Sequence, residues 1–249
     1  KVSQQINEMG ELMFITEMKK AAAAYGLELS EQQINQFNSY YELLIEWNKV
    51  MNLTAITEPQ EVAVKHIIDS IAAYDEKLFV TGTSVIDVGT GAGFPGLPLK
   101  IFFPAIKLTL MDSLNKRVKF LQTVVDELGL TEVACVHARA EEGARNKAYR
   151  EQFDIAVSRA VARLPVLCEY CLPFVKRGGY FLALKGREYQ DEIKEAAKAI
   201  KVMGGSKVTE RLVKLPALDD VRAIITIKKD MPTPKAYPRK AGTPAKKPI

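Results

Sequence analysis

The residues with the clearest capacity for chemistry form a glycine-rich segment in the first half of the chain. It reads Val85-Ile86-Asp87-Val88-Gly89-Thr90-Gly91-Ala92-Gly93-Phe94-Pro95-Gly96. Glycines in a turn let the backbone approach a bound ligand where any side chain would collide with it. Asp87 stands just before these glycines, where a carboxylate would repel a pyrophosphate and attract an amino group. The segment therefore indicates a cofactor-binding turn.

Two classes of enzyme use such a turn, one binding a dinucleotide and the other S-adenosylmethionine. The glycines follow the spacing G-x-G-x-G, and the next glycine comes only after Phe94-Pro95. Dinucleotide-binding turns have the compact spacing G-x-G-x-x-G. This difference, together with Asp87, favours a methyltransferase, while a nicotinamide-dependent oxidoreductase remains the alternative.

Charged residues further along the chain could complete a site. Asp112 lies 23 positions after Gly89, where either cofactor would present its ribose hydroxyls. The alternative for Asp112 is a helix cap before the next helix. Lys116 and Arg117 fall in the first turn of that helix, where cations oppose the helix dipole, and a bound phosphate would explain them.

The elements that would position these residues alternate between strand and helix. From Ser84 onward, short apolar runs alternate with helix-length segments, which predicts a parallel sheet covered on both faces. Asp112, Arg159 and Lys185 then fall at the carboxyl ends of strands, the edge at which open parallel sheets bind ligands. The predicted strands are 85–88, 108–111, 133–136, 153–157 and 180–184, followed by a hairpin-like pair at 207–215 and 221–228.

Residues 1–80 have helical spacing and give no strand signal. Ser30 is a plausible cap for one helix, and Pro59 fits the first turn of another that extends to Tyr74. Met13 is a candidate natural start, which would make residues 1–12 an upstream remnant. We therefore predict an α/β fold with a Rossmann-like sheet and an N-terminal helical subdomain. On the methyltransferase interpretation of the glycine-rich turn, this is the class I S-adenosylmethionine-dependent methyltransferase sheet. The expected domains are residues 1–80 (helical), 81–230 (Rossmann-like) and 231–249 (a basic, proline-rich C-terminal arm).

Composition limits the protein class. The 249 residues are 47% hydrophobic and 26% charged, as in ordinary globular proteins. No apolar run is long enough to span a membrane, and no signal sequence opens the chain, so we expect a cytoplasmic protein without a membrane partner. The cysteines and histidines are too few for a disulfide framework or a histidine-based metal site, so we expect no metal. They are Cys135, Cys168, Cys171, His66 and His137. The Cys168-x-x-Cys171 pair is better explained by buried cysteines on one helix.

The end of the chain concentrates positive charge. Residues 228–249 contain seven Lys or Arg against one Asp, so this segment carries +6 and the remainder −1. Five of the 12 prolines also lie there, so we expect an extended arm that contacts a polyanion, away from the cofactor turn. One alternative is a solubilising disordered end. Another is a strap in which Tyr237, Pro238 and Gly242 pack against the sheet.

Several collinear blocks of this sequence resemble the glucose-inhibited division protein B family, the bacterial methyltransferases that modify a guanosine of 16S ribosomal RNA at N7. The similarity runs from about Tyr25 to the end of the chain. The blocks are WNKVMNLTAIT, KHIIDS, DVGTGAGFPGLPLKI, MDSLNKRVKFL, ARAEE, SRAVA, ALKG and YPRKAGTP. The resemblance implies an S-adenosylmethionine cofactor and, as partner, 16S ribosomal RNA or the small ribosomal subunit. We expect a monomer.

The resemblance also implies roles for individual residues. Those implied to bind the cofactor are Gly89, Gly91, Phe94, Asp112, Ala140, Glu141 and Arg159, and the position of its charge adds Asp87 to this set. Those implied to act in catalysis are Arg159, Lys185 and Lys116. No role is transferred to residues 143–152, where the sequence departs from the family pattern.

Guanine N7 already carries an in-plane lone pair, so the implied reaction needs no general base, and catalysis would come mainly from placing the base and the methyl group in line. The base must leave any stack to enter the site. His66 and Asp69 either hold the helical cap against the cleft or are structural, and Trp47 is more plausibly core than a stacking platform. A non-catalytic RNA-binding or assembly factor with a vestigial pocket remains a second alternative.

Overall fold

A computed structural model describes the backbone of residues 2–249 and the side chains of residues 12–249, and within them one mixed sheet organises the chain. Its seven strands stand in the order β3-β2-β1-β4-β5-β7-β6. The bounds are β1 Ser84–Val88, β2 Lys107–Asp112, β3 Val133–His137, β4 Phe153–Arg159, β5 Val175–Lys185, β6 Gly205–Val213 and β7 Arg222–Lys229. Each strand predicted from the sequence is present.

The first five strands are parallel, and the last two are antiparallel to their neighbours. β1 pairs with β2 on one side and β4 on the other, with Val85 opposite both Leu108 and Ile155. From β1 the strands continue to β2 and β3 on one side, and the chain then crosses to β4 on the other side of β1. The strand order therefore reverses between β1 and β4, and ligands bind at such a switch point in open α/β sheets. β7 pairs with β5 and β6, which confirms the hairpin-like ending.

Helices cover both faces of the sheet and form two separate apolar cores. One core joins the N-terminal helices, α5 and α6 to the sheet, and the other contains α8 and α9. The helices are α1 (Val2–Tyr25), α2 (Glu31–Met51), α3 (Pro59–Glu61), α4 (Asp69–Ile71), α5 (Gly96–Phe102), α6 (Asn115–Glu127), α7 (Ala140–Gly143), α8 (Leu164–Cys171), α9 (Tyr189–Val202) and α10 (Thr243–Lys246).

The N-terminal helices follow the sequence pattern closely. Ser30 caps α2 and forms a capping box with Gln33, in which each side chain satisfies a backbone N–H of the first turn. The helix predicted to follow Glu58 is continuous, but its middle, Val62–Ile68, is a π-helix between α3 and α4. A π-helix has i→i+5 hydrogen bonds and therefore wider turns than the α-helix predicted from the spacing of the apolar residues. Such segments are frequent at functional sites.

The expectation of an extended C-terminal arm is wrong in part. Residues 231–249, called the strap below, pack against the domain, and α10 gives them one short helix. Pro244 lies in the first turn of α10, where the missing N–H of proline is tolerated. Gly242 precedes that turn with a φ of +80°, a conformation that side chains disfavour. Among residues 2–249, no helix has both the length and the apolar character required to cross a bilayer.

Candidate cofactor site

The glycine-rich segment forms the turn after β1. The backbone N–H of Gly89 donates to the Met111 carbonyl of β2 at 2.9 Å, and the Tyr40 hydroxyl of α2 donates to the Ala92 carbonyl. Gly91 has a φ of +62° and borders a cavity, and a Cβ there would meet no protein atom within 4 Å. The missing side chain thus leaves space beside the backbone.

Asp87 lies beneath this turn and is fully buried. Its Oδ2 accepts hydrogen bonds from the Thr90 hydroxyl at 2.7 Å and from the Gly96 N–H at 2.8 Å, whereas Oδ1 has no hydrogen-bond partner among the described residues. Burial raises the pKa of this carboxyl to about 7. These contacts shape the turn, and an attraction of Asp87 for a ligand's amino group stays a prediction.

Asp112 ends β2 and fastens two backbone segments together. Its Oδ2 accepts the N–H of Gly91 and its Oδ1 accepts the N–H of Leu114, both at 2.9 Å. The guanidinium of Arg117 is 3.5 Å from Oδ2. The bond to Leu114 orders the turn before α6, but the helix itself begins after Leu114 without a side-chain cap, so the helix-cap alternative for Asp112 is wrong. Asp112 also borders open space in which a further hydrogen bond could form.

Two adjoining cavities lie above these residues at the carboxyl ends of the strands. The glycine-loop cavity has a volume of about 390 Å³ and is lined by residues that include Gly89, Gly91, Phe94, Asp112, Arg117 and Arg159. The strap-side cavity, of about 240 Å³, is lined by residues that include Asp112, Ala140, Glu141, Tyr170, Gly242 and Ala245. Gly89, Asp112, Ser113 and Val161 border both, so the two form one elongated cleft.

Arg159 lies at the end of β4 and ties the sheet to the π-helical segment. Its guanidinium donates to the Lys65 carbonyl at 3.0 Å and forms an ion pair with Asp69 at 2.8 Å. It also lies over the Phe94 ring, 4.9 Å from the centroid. Such buried charge-assisted bonds fix the orientation of an arginine, so Arg159 is a rigid wall of the cleft.

His66 belongs to the same cluster and is neutral. Its Nδ1 lies 3.2 Å from the Arg159 guanidinium and 3.3 Å from the Lys65 carbonyl, and its Nε2 lies 2.8 Å from the Thr54 hydroxyl. Burial, assisted by the charge of Arg159, lowers the pKa of His66 to about 3. His66 therefore positions its neighbours, as the helical-cap interpretation expects.

A third cavity, called the Lys185 cavity, lies on the other side of Arg159. It has a volume of about 410 Å³, and Arg159 and His66 border it as well as the glycine-loop cavity. The Lys185 ammonium is buried and contacts the Glu192 carboxylate at 2.6 Å and the Ala162 carbonyl at 2.7 Å. Its lining combines charged side chains with a larger apolar surface and includes Lys65, Asp69, Arg222, Ile56 and Leu184.

The predicted site residues are not all brought together. Lys116 is exposed and borders none of these three cavities, whereas the adjacent Arg117 lines the glycine-loop cavity and contacts Asp112. Sequence reasoning gave no role to Val161, which separates the two parts of the cleft. A valine in a loop does not suggest a binding residue, and the role of Val161 follows only from its position after β4, where it borders both cavities.

The strap reaches this site, which corrects the expectation that it lies away from the cofactor turn. Gly242 and Ala245 line the strap-side cavity, and the Gly242 N–H donates to the Glu141 carboxylate at 2.8 Å. Positive charge and proline content could not reveal this, because the contact joins residues 101 positions apart.

The cysteines carry no site. Cys168 and Cys171 are buried in α8, and burial raises the pKa of both thiols, which confirms them as buried helix-face residues. Within the described part of the chain, no three His, Cys, Asp or Glu side chains converge as a metal site would require.

The strand order and the glycine turn at the switch point define the Rossmann-like fold of class I methyltransferases. A solved structure of a SAM-dependent methyltransferase from Aquifex aeolicus shares this fold, with a TM-score of 0.51 and 15% sequence identity over 71% of this chain and 96% of its own. At that identity the likeness concerns the fold.

Sequence comparison identifies the family. The profile of rRNA small subunit methyltransferase G matches residues 33–217. The protein called ribosomal RNA small subunit methyltransferase G in Desulforamulus reducens is 53% identical over 232 residues, covering 93% of this chain and 97% of its own. The protein of that name in Lactobacillus acidophilus is 50% identical over 238 residues, covering 95% and 98%. This chain belongs to that methyltransferase family, which decides against the dinucleotide-dependent oxidoreductase.

Proposed function

We propose that this protein transfers a methyl group from S-adenosylmethionine to N7 of a guanosine in 16S ribosomal RNA. The observation that carries the proposal is the arrangement of the cavities. An elongated cleft at the switch point of the sheet is separated from the Lys185 cavity by the fixed side chain of Arg159. A cofactor and an acceptor base can therefore occupy neighbouring spaces. Membership of the family supports this assignment.

The cleft fits S-adenosylmethionine in shape and in chemistry. Gly91 leaves room beside its backbone, and Asp112 offers carboxylate oxygens to ribose hydroxyls. Ala140 and Glu141 border the strap-side part, where the nucleobase of the cofactor would lie. When bound, this cofactor supplies an electrophilic methyl group on a sulfonium. The roles of Asp87, Gly89, Phe94 and Arg159 toward the cofactor are part of this proposal.

The Lys185 cavity is the proposed place for the acceptor guanine. The base must leave its stack to reach a cleft at the sheet edge, and the cavity shares the Arg159 wall with the cofactor cleft. The Lys185 ammonium is bound to Glu192 and Ala162, and the Arg159 guanidinium to Asp69 and Lys65. These bonds hold both side chains in place, so they shape the cavity in which the base would lie in line with the methyl group.

The titratable side chains that line the Lys185 cavity are all engaged with other protein groups, in keeping with a reaction at N7 that needs no general base. His66 is neutral with both ring nitrogens engaged, and the carboxylates of Asp69 and Glu192 are paired with Arg159 and Lys185. Guanine N7 has a lone pair in the plane of the ring, so no proton needs to be removed before it accepts a methyl group. Positioning and electrostatics then supply the catalysis.

The substrate would be the ribosomal RNA itself or the small subunit, and the protein would act in the cytoplasm as a monomer. Exposed cations near the cleft, among them Lys116 at the start of α6, would contact RNA phosphates. This role replaces the direct catalytic role expected of Lys116.

Calorimetry with S-adenosylmethionine and with NAD, followed by transfer of labelled methyl to ribosomal RNA, tests the proposal. Gly91→Ala places a methyl group at the cleft, and Gly82→Ala is its matched control. Gly82 has a φ of +84°, and a Cβ there also meets nothing within 4 Å, but it precedes β1 at the opposite edge of the sheet. We expect Gly91→Ala alone to weaken S-adenosylmethionine binding and methyl transfer. Tight NAD binding without S-adenosylmethionine binding would overturn the proposal.

A further inference from the structure

The strap is anchored to the domain through its backbone carbonyls. The Arg150 guanidinium donates to the carbonyls of Thr233 and Tyr237, both at 2.8 Å. Arg145 donates to the Pro238 carbonyl at 2.5 Å. Proline has no backbone N–H, so a proline-rich segment has fewer backbone donors for its own carbonyls. Two arginines from the segment between α7 and β4 donate to these carbonyls instead. The course of the strap is thereby fixed.

Two buried carboxylates then set the position of its last part. Glu169 of α8 has a side chain only 1% exposed and receives the Arg239 guanidinium at 2.6 Å and the Arg239 backbone N–H at 2.7 Å. Glu141 of α7 is also buried and receives the N–H of Gly242. A buried carboxylate that lost such donors would be strongly destabilised. The two acids therefore hold the strap in one place.

At that place the strap becomes a wall of the cleft. Gly242 and Ala245 line the strap-side cavity together with Asp112, Ala140 and Tyr170. The strap contributes small groups to this wall, because its two lining residues are a glycine and an alanine. A flat, largely apolar wall of small residues suits the face of a purine ring.

We propose that the strap forms part of the nucleoside-binding end of the cofactor site, with Gly242 and Ala245 as its contact residues and the Arg239–Glu169 ion pair as the clamp that positions them. This inference rests on the proposed function, because it requires S-adenosylmethionine to occupy the cleft. It assigns to the basic end of the chain a role in cofactor binding that is independent of contact with RNA.

Ala245→Leu tests the inference, and Ala236→Leu is the matched control. Both alanines are exposed and lie in the strap, but Ala236 borders none of the three cavities of the site. Ala245 borders the strap-side cavity of about 240 Å³ and a second cavity on the α8 side, so three added carbon atoms at this position narrow the mouth of the cleft. Overpacking of this kind disfavours binding enough to raise a dissociation constant about tenfold. Ala245→Ser, a smaller change, should keep the Kd within about twofold of the wild type.

The measurement is calorimetric titration with S-adenosylmethionine and with S-adenosylhomocysteine, alongside the melting temperature of each variant. We expect Ala245→Leu to bind both about tenfold more weakly and Ala236→Leu to match the wild type, with similar melting temperatures throughout. If the wild type binds S-adenosylmethionine and the two leucine variants have the same Kd, the strap is no part of the site. If the wild type itself fails to bind S-adenosylmethionine, the proposed function is what fails.

Discussion

Replacing Asp112 by asparagine perturbs both of its roles, fastening the backbone and binding the cofactor. The carboxylate accepts the N–H groups of Gly91 and Leu114 through its two oxygens, each at 2.9 Å. An asparagine offers one oxygen and one NH₂ group, so one of these N–H donors would face another donor. Losing a hydrogen bond to a charged group costs about 1.5–3 kcal/mol.

Two quantities should change in Asp112→Asn. The free energy of unfolding should fall by about 1–3 kcal/mol, which lowers the melting temperature of a protein of this size by about 2–4 °C for each kcal/mol. The Kd for S-adenosylmethionine should rise about 10- to 100-fold. The second effect arises because the ribose loses a charged acceptor and the turn at Gly91 loses its anchor.

Asp154→Asn provides the matched control. Asp154 also accepts a backbone N–H from a neighbouring segment, that of Ser84 at 2.9 Å, and the Ser84 hydroxyl at 2.6 Å. It stands at the start of β4, at the edge of the sheet opposite the cleft. We expect this variant to lose a comparable free energy of unfolding while keeping the wild-type Kd.

Thermal unfolding and calorimetry on the three proteins complete the test. Reduced stability of both variants with a weaker Kd in Asp112→Asn alone supports the account. An unchanged Kd in Asp112→Asn would refute it, because Asp112 would then serve only to fasten the backbone at Gly91 and Leu114.

Three further substitutions or deletions have definite expected outcomes. Because folded His66 has a pKa of about 3 against 6.5 in the unfolded chain, it favours folding above pH 6.5 and this contribution is lost as pH falls toward 3. In Arg159→Met, NMR titration should show a higher pKa for His66, and methyl transfer should fall by more than the folded fraction; an unmoved titration would show that the guanidinium does not act on the ring. Lys185→Gln should lower the free energy of unfolding by about 3 kcal/mol because Glu192 is left buried without its partner, and thermal unfolding should recover when Glu192→Gln is added. Deleting residues 235–249 should lower both the melting temperature and the affinity for S-adenosylmethionine, and unchanged values of both would show a free arm.

Local pattern predicted the fold well, because each element is determined by neighbouring residues. Alternating apolar runs located the strands, and Ser30 gave the start of α2, where the structure adds a capping box with Gln33. The parallel order then placed Asp112 and Arg159 at the edge where the cleft is found. These predictions needed only the periods of side-chain burial and the rule that ligands bind at strand carboxyl ends.

Contacts between distant residues were beyond such reasoning. Lys116 and Arg117 are adjacent and chemically similar, and a rotation of about 100° along α6 decides that Arg117 faces the cleft. The Arg239–Glu169 pair joins residues 70 positions apart. The positive charge of the strap alone therefore suggested contact with RNA and gave no sign of this buried partner. The contact of Arg159 with the π-helical segment likewise joins residues 93 positions apart.

The most direct test of the central claim is transfer of a labelled methyl group from S-adenosylmethionine to small ribosomal subunits and to their extracted RNA, with the position of the label mapped. N7-methylation weakens the glycosidic bond of guanosine, so mild reduction and β-elimination cleave the RNA at that nucleotide. The account predicts label in 16S ribosomal RNA that coincides with such a cleavage, and loss of both signals in Arg159→Met. Binding of S-adenosylmethionine without any transfer to RNA, or label at an atom other than guanine N7, would contradict it.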